Sequence, residues 1–190
     1  MTQVLSKKKG WRYNIQESGG GCVTLHGAHL LSIIYLLFGM PQSIKAELSF
    51  PFSKVEDRAE IDFLFENKIV GHSTISWSEK GYPKLTIELV IAGENGTLCI
   101  NEHSVVLSLH KRTNGFKKGT TIIDKEDLGF SEFEVGSQEY FEQDRAFINS
   151  LHNKKESLLT VADAYKIQII LQGIYDFHKE KKTPVLHEGS

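Results

Sequence analysis

The chain has 190 residues, 40% of them hydrophobic and 24% charged, with a net charge of −2. That balance excludes a disordered chain, and a chain of this length can bury roughly 70% of its unfolded surface. With no basic excess there is no electrostatic case for nucleic acid, and Lys7-Lys8-Lys9 reads as a solvated strand end rather than a phosphate or membrane patch. Cys22 and Cys99 stand far apart and outside any C-x-x-C pair, the usage of buried thiols in a reducing compartment. The opening residues lack the apolar core of a secretory signal, so the expected location is cytoplasmic and the expected organisation one domain over residues 1–190.

In chain order, residues 2–6 read as a short strand, with Trp11-Arg12 at its far end, and residues 14–21 as a polar, glycine-rich loop. Residues 22–38 are apolar on every face, the pattern of a helix buried on most sides, and Gly39 and Pro41 stop it. The apolar run over 30–40 is shorter than the roughly 20 residues that a bilayer requires, so it predicts a core helix and no membrane partner.

Strands follow. Residues 44–50 read extended, and Ala59, Ile61, Phe63 and Phe65 alternate with charged neighbours at a period of two. Residues 70–77 make a further strand, and Leu85, Ile87, Leu89 and Ile91 alternate on another, expected to pack under helices. Glu94-Asn95-Gly96 predicts a hairpin turn into strands at 97–101 and 104–110. Residues 113–136 are polar and weakly periodic, a long loop. Ser137 is placed to cap a helix carrying Tyr140, Phe141, Phe147, Ile148 and Leu151 on one stripe. Thr160, with Asp163 three residues on, opens a second helix whose stripe runs Val161, Ala164, Tyr165, Ile167, Ile170, Leu171, Ile174 and Tyr175. The order predicts an α+β fold: a largely antiparallel open sheet with helices packed on one face.

The most informative stretch is residues 19–39, GGGCVTLHGAHLLSIIYLLFG. It resembles the G-G-G-x-h-h-D-x-G-x-H segment that opens a buried helix in the glucose–fructose oxidoreductase / inositol dehydrogenase (Gfo/Idh/MocA) family. Trp11-Arg12 before it, Val55-Glu56-Asp57 before the paired strands, and the closing helix with Lys181-Lys182 and Pro184-Val185 after it stand at the family's places. The resemblance covers the chain from about residue 10 onward. It implies the second, substrate-binding domain of a sugar or sugar-nucleotide dehydrogenase, with the dinucleotide-binding Rossmann domain expected to be absent from this chain. NAD or NADP is then the cofactor of the intact protein and is not bound by this chain alone. No strand–G-x-G-x-x-G–helix segment is present to cradle a pyrophosphate.

By the same resemblance His29 falls at the family's histidine, which faces the nicotinamide and moves a proton to or from the sugar hydroxyl. An imidazole titrates near neutral pH and suits that task, although a lone histidine on a buried helix also serves as a hydrogen-bonded core residue. The family's aspartate four residues earlier is Leu25 here. Candidate substrate contacts are Trp11, Arg12, Gly20, Gly21 and Leu25. Arg12 offers a fork for a carboxylate or phosphate, or else a surface ion pair. The glycine triplet lets the backbone approach a ligand at the helix start, or is a flexible loop. His26 and His29 form H-x-x-H, but no acidic third ligand is fixed by spacing and no metal site is expected.

Two functions compete. One is the substrate-binding and oligomerisation domain of an NAD(P)-dependent oxidoreductase acting on a sugar derivative, inactive by itself and completed by a Rossmann domain in cis or in trans. The other is a non-catalytic binding or assembly module that keeps the fold. The open sheet face mixes polar and apolar residues, and the resemblance, whose members commonly pair through that face, implies a homodimer there even without the cofactor domain.

Overall fold

The structure is a computed structural model and describes residues 2, 10–82, 85–128, 138–153 and 157–181. The protein is α+β, and its strands divide into two open antiparallel sheets. They belong to two compact units, Met1–Leu85 with Leu158–Ser190, and Thr86–Ser157.

In the first unit β1 (Ser43–Ser49), β2 (Arg58–Leu64) and β3 (Val70–Ser76) lie side by side in that order. The alternation of the sequence becomes two faces. Ile44, Ala46, Leu48, Ala59, Ile61, Phe63 and Ile75 are buried on one, while Lys45, Glu47, Asp62 and His72 stand exposed on the other. A fully buried side chain of this size contributes about 1.5–3 kcal/mol, so one covered face is enough to fix the register.

Three helical segments bear on that face or prepare for it. The polar stretch expected as a loop contains a short helix, α1 (Ile15–Ser18), after a single tight turn at Trp11–Tyr13. Asn14 caps α1 by accepting from the Gln16 N–H at 3.2 Å, and Glu17 hydrogen-bonds back to it. The N-x-x-E spacing carried that signal under the glycine-rich composition. A π-helical turn, Val23–Gly27, then runs straight into α2 (Ala28–Phe38). Residues 15–38 together are long and apolar enough to cross a membrane by length and composition. Gly19 breaks the run with φ 73°, and Cys22, Val23, Leu30, Leu31 and Ile34 are buried inside the protein. A Cβ on Gly27 would lie 3.0 Å from Ile75 Cδ1, so the glycine sets how closely the helix lies on β3.

The closing helix α4 (Val161–Glu180) packs on β1 and α2. Its expected capping box is present: Thr160 Oγ1 accepts from the Asp163 N–H, and the Asp163 carboxylate accepts from the Thr160 N–H at 2.8 Å. Tyr35 donates to Asp163 Oδ1 at 2.9 Å and ties α2 to the start of α4. Ile167, Ile170, Leu171 and Ile174 are buried as the stripe required. Val161 and Tyr165, assigned to the same stripe, are 88% and 61% exposed because the first turns of α4 extend past the sheet-facing segment. Of the expected strand at 2–6 only Thr2 is described, in a parallel bridge to Ser76.

The second unit is a four-stranded meander, β4 (Leu89–Gly93), β5 (Gly96–Ile100), β6 (Ser104–Leu109) and β7 (Gly119–Asp124). The hairpin turn lies where expected, but its two loop residues are Glu94 and Asn95, and positive φ falls on Gly96 alone at 154°. A Cβ there would sit 1.9 Å from Ser108 O, so no other residue fits this strand pair. Strand β7 corrects the long-loop reading of residues 113–136. Thr120, Thr121, Ile122 and Ile123 are β-branched in succession and pair with β6, a strand signal masked by Lys117, Lys118 and Lys125 around it.

Among the described residues of this unit no side chain is buried. Leu89 and Ile91, expected beneath helices, are half-exposed, and Leu85 before them is exposed. The helix of this unit, α3 (Gln138–Asn153), keeps its whole apolar stripe of Tyr140, Phe141, Phe147, Ile148 and Leu151 exposed, so it does not cover them. Ser137, expected to cap α3, lies outside the described residues.

The two thiols should differ sharply. Cys22 is fully buried, its Sγ 3.6 Å from Ile75 O, and burial followed by the charges of Glu56 and Asp57 pushes its pKa far up. Cys99 is half-exposed in β5. Titration with a chromogenic disulfide at pH 8 is expected to reach Cys99 in the folded chain and Cys22 only in denaturant. Equal rates for both would show that the helix carrying Cys22 opens readily.

Candidate functional site

Polar groups concentrate in the first unit at the head of the long helix. Two acidic neighbours, Glu56 and Asp57, are buried there and organise it. Glu56 Oε1 accepts from the Gly21 N–H at 2.7 Å, the Val23 N–H at 3.1 Å and the Tyr175 hydroxyl at 2.6 Å. Backbone N–H groups at a helix start are unpartnered within the helix and carry partial positive charge, so a carboxylate is the natural cap. Thr24 Oγ1 lies 2.8 Å from the same Tyr175 hydroxyl, which joins α4 to the helix head. Burial, then the Glu56 charge, drives the Tyr175 phenol pKa far up, so it remains a hydroxyl.

That arrangement explains the glycine triplet. A Cβ on Gly20 would fall 2.1 Å from the Tyr175 hydroxyl oxygen, and one on Gly21 would fall 2.1 Å from Glu56 O. Both glycines are buried, and the room they leave is filled by the chain's own Glu56 and Tyr175. A pyrophosphate does not fit here, because the N–H groups it would need are taken by a carboxylate that would repel it. Calorimetric titration of this chain with NAD or NADP is expected to show no saturable heat at millimolar nucleotide. A micromolar isotherm would overturn that expectation.

Asp57 fixes the neighbouring loop. Its Oδ2 accepts from the Phe52 and Ser53 N–H groups at 3.0 and 3.1 Å, and its Oδ1 accepts from Trp77 Nε1 at 2.9 Å. The buried Trp77 ring is thereby held at the end of β3, where Tyr13 packs on it with ring centroids 5.1 Å apart and His26 meets it edge-on at 6.1 Å. Tyr13 and His26 were not among the sequence-derived substrate contacts, and only the H-x-x-H spacing had drawn attention to His26. Their Oη and Nδ1 atoms are buried without a hydrogen-bond partner among the described residues.

The candidate residues distribute around this cluster. His29 is exposed one turn beyond His26, and the two imidazoles interact electrostatically. Arg12, exposed in the turn preceding α1, acts on both His26 and Tyr13, and its guanidinium lies 5.4 Å from the Trp11 ring centre. Trp11 is itself exposed, away from the buried aromatic pair. Leu25, at the place of the family's aspartate, is half-buried in the π-helical turn and brings no charge to His29. Among the described residues no set of three His, Cys, Asp or Glu side chains could hold a metal ion.

A separate depression of about 480 Å³ lies on the open face of the first sheet, lined by Lys45, Asp62, Leu64, Val70 and His72 among others. None of the helix-head groups reaches it, and within it His72 and Asp62 pair across strands. His72 Nδ1 is 2.7 Å from Asp62 Oδ1 and its Nε2 is 3.0 Å from Glu60 Oε2, and the Asp62 hydrogen bond raises the imidazole pKa.

Residues 2–99 match the sequence pattern of the GFO/IDH/MocA C-terminal domain. The chain belongs to this family. Its fold is similar to that of levoglucosan dehydrogenase in complex with NADH and levoglucosan, with a TM-score of 0.82 at 16% identity over 99% of this chain. An NAD-binding oxidoreductase from Klebsiella pneumoniae superposes with a TM-score of 0.81 at 15% identity over 98% of the chain. An aldose–aldose oxidoreductase from Caulobacter crescentus complexed with glycerol gives 0.73 at 18% identity over 97%. The chain spans only 57%, 57% and 53% of those three structures. No curated protein sequence matches it.

Proposed function

We propose that this chain is the substrate-binding and oligomerisation domain of an NAD(P)-dependent oxidoreductase that acts on a sugar or sugar-nucleotide derivative, in the cytoplasm. The observation that supports this most is the conjunction of family membership with an exposed His29 on a helix whose head is rigidly capped by Glu56. The hydride chemistry belongs to a nicotinamide held by a nucleotide-binding domain, since the helix head of this chain has no place for a pyrophosphate. This chain's own residues bind and orient the sugar, and the His29 imidazole takes a proton from the reacting hydroxyl or returns it to the carbonyl. The rigid cap matters because a misplacement of about 1 Å can cost on the order of 10²-fold in rate.

The test is to unite the chain with a nucleotide-binding domain of this family and follow NAD(P)H absorbance against neutral, acidic and nucleotide-linked sugars. Saturable reduction with one class supports the reading. A folded two-domain protein that binds nucleotide yet oxidises or reduces none of them favours the non-catalytic module, which Leu25 in place of the aspartate supports.

The open sheet faces support a homodimer. In the first unit Leu64 and Val70 lie exposed among Lys45, Asp62 and His72, and in the second Val90 and Ile122 are exposed in register beside Cys99 and Val106. A stable interface buries more than about 1,000 Å² in total. Light scattering at micromolar concentration is expected to give twice the chain mass, and Val90→Lys with Ile122→Lys is expected to return it to the monomer mass. A monomer before substitution would count against this surface.

A further inference from the structure

We propose that two copies of this chain pair through the second sheet with their strands antiparallel, so that the basic β6–β7 hairpin tip of one copy meets the acidic opposite end of the same sheet in the other. This rests on the reading of the open sheet face as a homodimer interface, and it adds the orientation and the side chains that set it.

The sheet has two poles. At the β6–β7 tip Lys111, Arg112, Lys117 and Lys118 stand exposed, against the single carboxylate of Glu94 in the neighbouring β4–β5 turn. Among the described residues none of these four cations has an ion-pair partner. The tip is stiff: Thr113 and Phe116 exchange N–H···O bonds at 3.1 and 2.9 Å around Asn114 and Gly115, whose φ of 47° and 87° suit a tight hairpin turn. The His110 N–H donates to Asn95 O at 2.9 Å and ties the tip to the β4–β5 turn. At the other end Glu88, Glu102, Asp124, Glu126 and Asp127 stand exposed, against the single ammonium of Lys125. That end is also fixed, because Asn101 Oδ1 accepts from the His103 and Ser104 N–H groups at 2.8 and 3.0 Å. Strands of this length separate the poles by roughly 20 Å, more than twice the screening length of about 8 Å at physiological salt, so each pole acts by itself.

Between the poles, one face suits a second sheet. Val90, Cys99, Val106 and Ile122 lie side by side across the four strands, with Val90 and Ile122 54% and 59% exposed. Ala92, Thr97, Ser108 and Thr120 form the next row. No long side chain belongs to either row, so another sheet can close on them at about 10 Å. A two-fold axis between two such faces runs either along the strands or across them. Along the strands it sets tip on tip and acid on acid, and both contacts repel. Across the strands it sets each tip on the partner's acidic end, and one complementary contact occurs twice. Facing like charges are costly and facing unlike charges fix register, so the poles select the second arrangement.

Sedimentation equilibrium of the full chain tests the arrangement. The wild-type dimer is expected to weaken as NaCl rises from about 20 to about 500 mM, because salt screens the attraction between unlike poles, whereas tip-on-tip pairing would tighten. Lys117→Glu with Lys118→Glu is expected to raise the dimer Kd by about tenfold or more at low salt. Adding Glu102→Lys with Glu126→Lys to the same chain reverses both poles and is expected to bring the Kd back to within about threefold of wild type. That recovery shows that the first variant is folded and that its loss is one of charge pairing. A dimer that tightens with salt, one indifferent to the first pair of substitutions, or a loss that the second pair does not repair overturns the antiparallel arrangement and leaves the sheet dimer standing. A wild-type chain that stays monomeric throughout refutes the dimer reading and the orientation with it.

Discussion

Replacement of His29 by alanine in the united two-domain protein is expected to lower turnover by about 10²–10⁴-fold, the usual loss of a positioned acid or base. The melting temperature should move by less than a degree or two. His29 is exposed and caps nothing, while the helix that carries it is held by Glu56, by Tyr35 on Asp163 and by the buried Leu30, Leu31 and Ile34. The split between a large kinetic effect and a small thermal one is the readout. A folded variant with undiminished turnover would make His29 a surface residue and remove the main support for catalysis at this helix. A variant that loses turnover and melts much earlier would show instead that the imidazole holds the helix.

The order of elements was legible where one physical rule dominates. Alternation wrote β2 because one face of the sheet is covered, and the Thr160–Asp163 pair wrote the start of α4 because a cap is local. Legibility failed where contacts are long-range or where composition hid a pattern. Nothing local says that residues 86–124 form a sheet of their own whose side chains stay half-exposed. Strand β7 was hidden by its lysine flanks, and α1 by its glycines.

The candidate site shows the same division. The glycine triplet and His29 were readable from a resemblance to a family pattern, yet the reason for the glycines was not, because Glu56 and Tyr175 lie 35 and 154 residues beyond Gly21 and come to it only through the fold. Tyr13 and Trp77 carried no spacing signal at all. Their contact with each other and with His26 exists because Asp57 turns the loop before β2 and fixes the Trp77 indole.

Glu56 should prove the most consequential side chain for stability. Three donors, the Gly21 and Val23 N–H groups and the Tyr175 hydroxyl, converge on its single oxygen Oε1 in a buried place. Glu56→Ala strands the two N–H groups and leaves the Tyr175 hydroxyl with Thr24 alone. An unmet buried donor costs about 1–3 kcal/mol, and a carboxylate at a helix start adds up to about 2 kcal/mol, so allowing for water that enters the gap the loss is about 3–5 kcal/mol. Domains of this size are stable by only about 5–15 kcal/mol, and such a loss takes a large share of that margin. Glu56→Gln keeps an acceptor oxygen at the same position and gives up only the charge, so it is expected to lose about 1 kcal/mol. Tyr175→Phe, which removes one donor and frees Thr24, should fall between the two. Urea unfolding followed by far-UV circular dichroism orders the three variants directly. If Glu56→Gln is as damaging as Glu56→Ala, the charge rather than the three hydrogen bonds secures the helix head. If Glu56→Ala is harmless, the cap is not what holds His29 in place, and the rigidity on which the proposed chemistry depends must come from the packing of α2 alone.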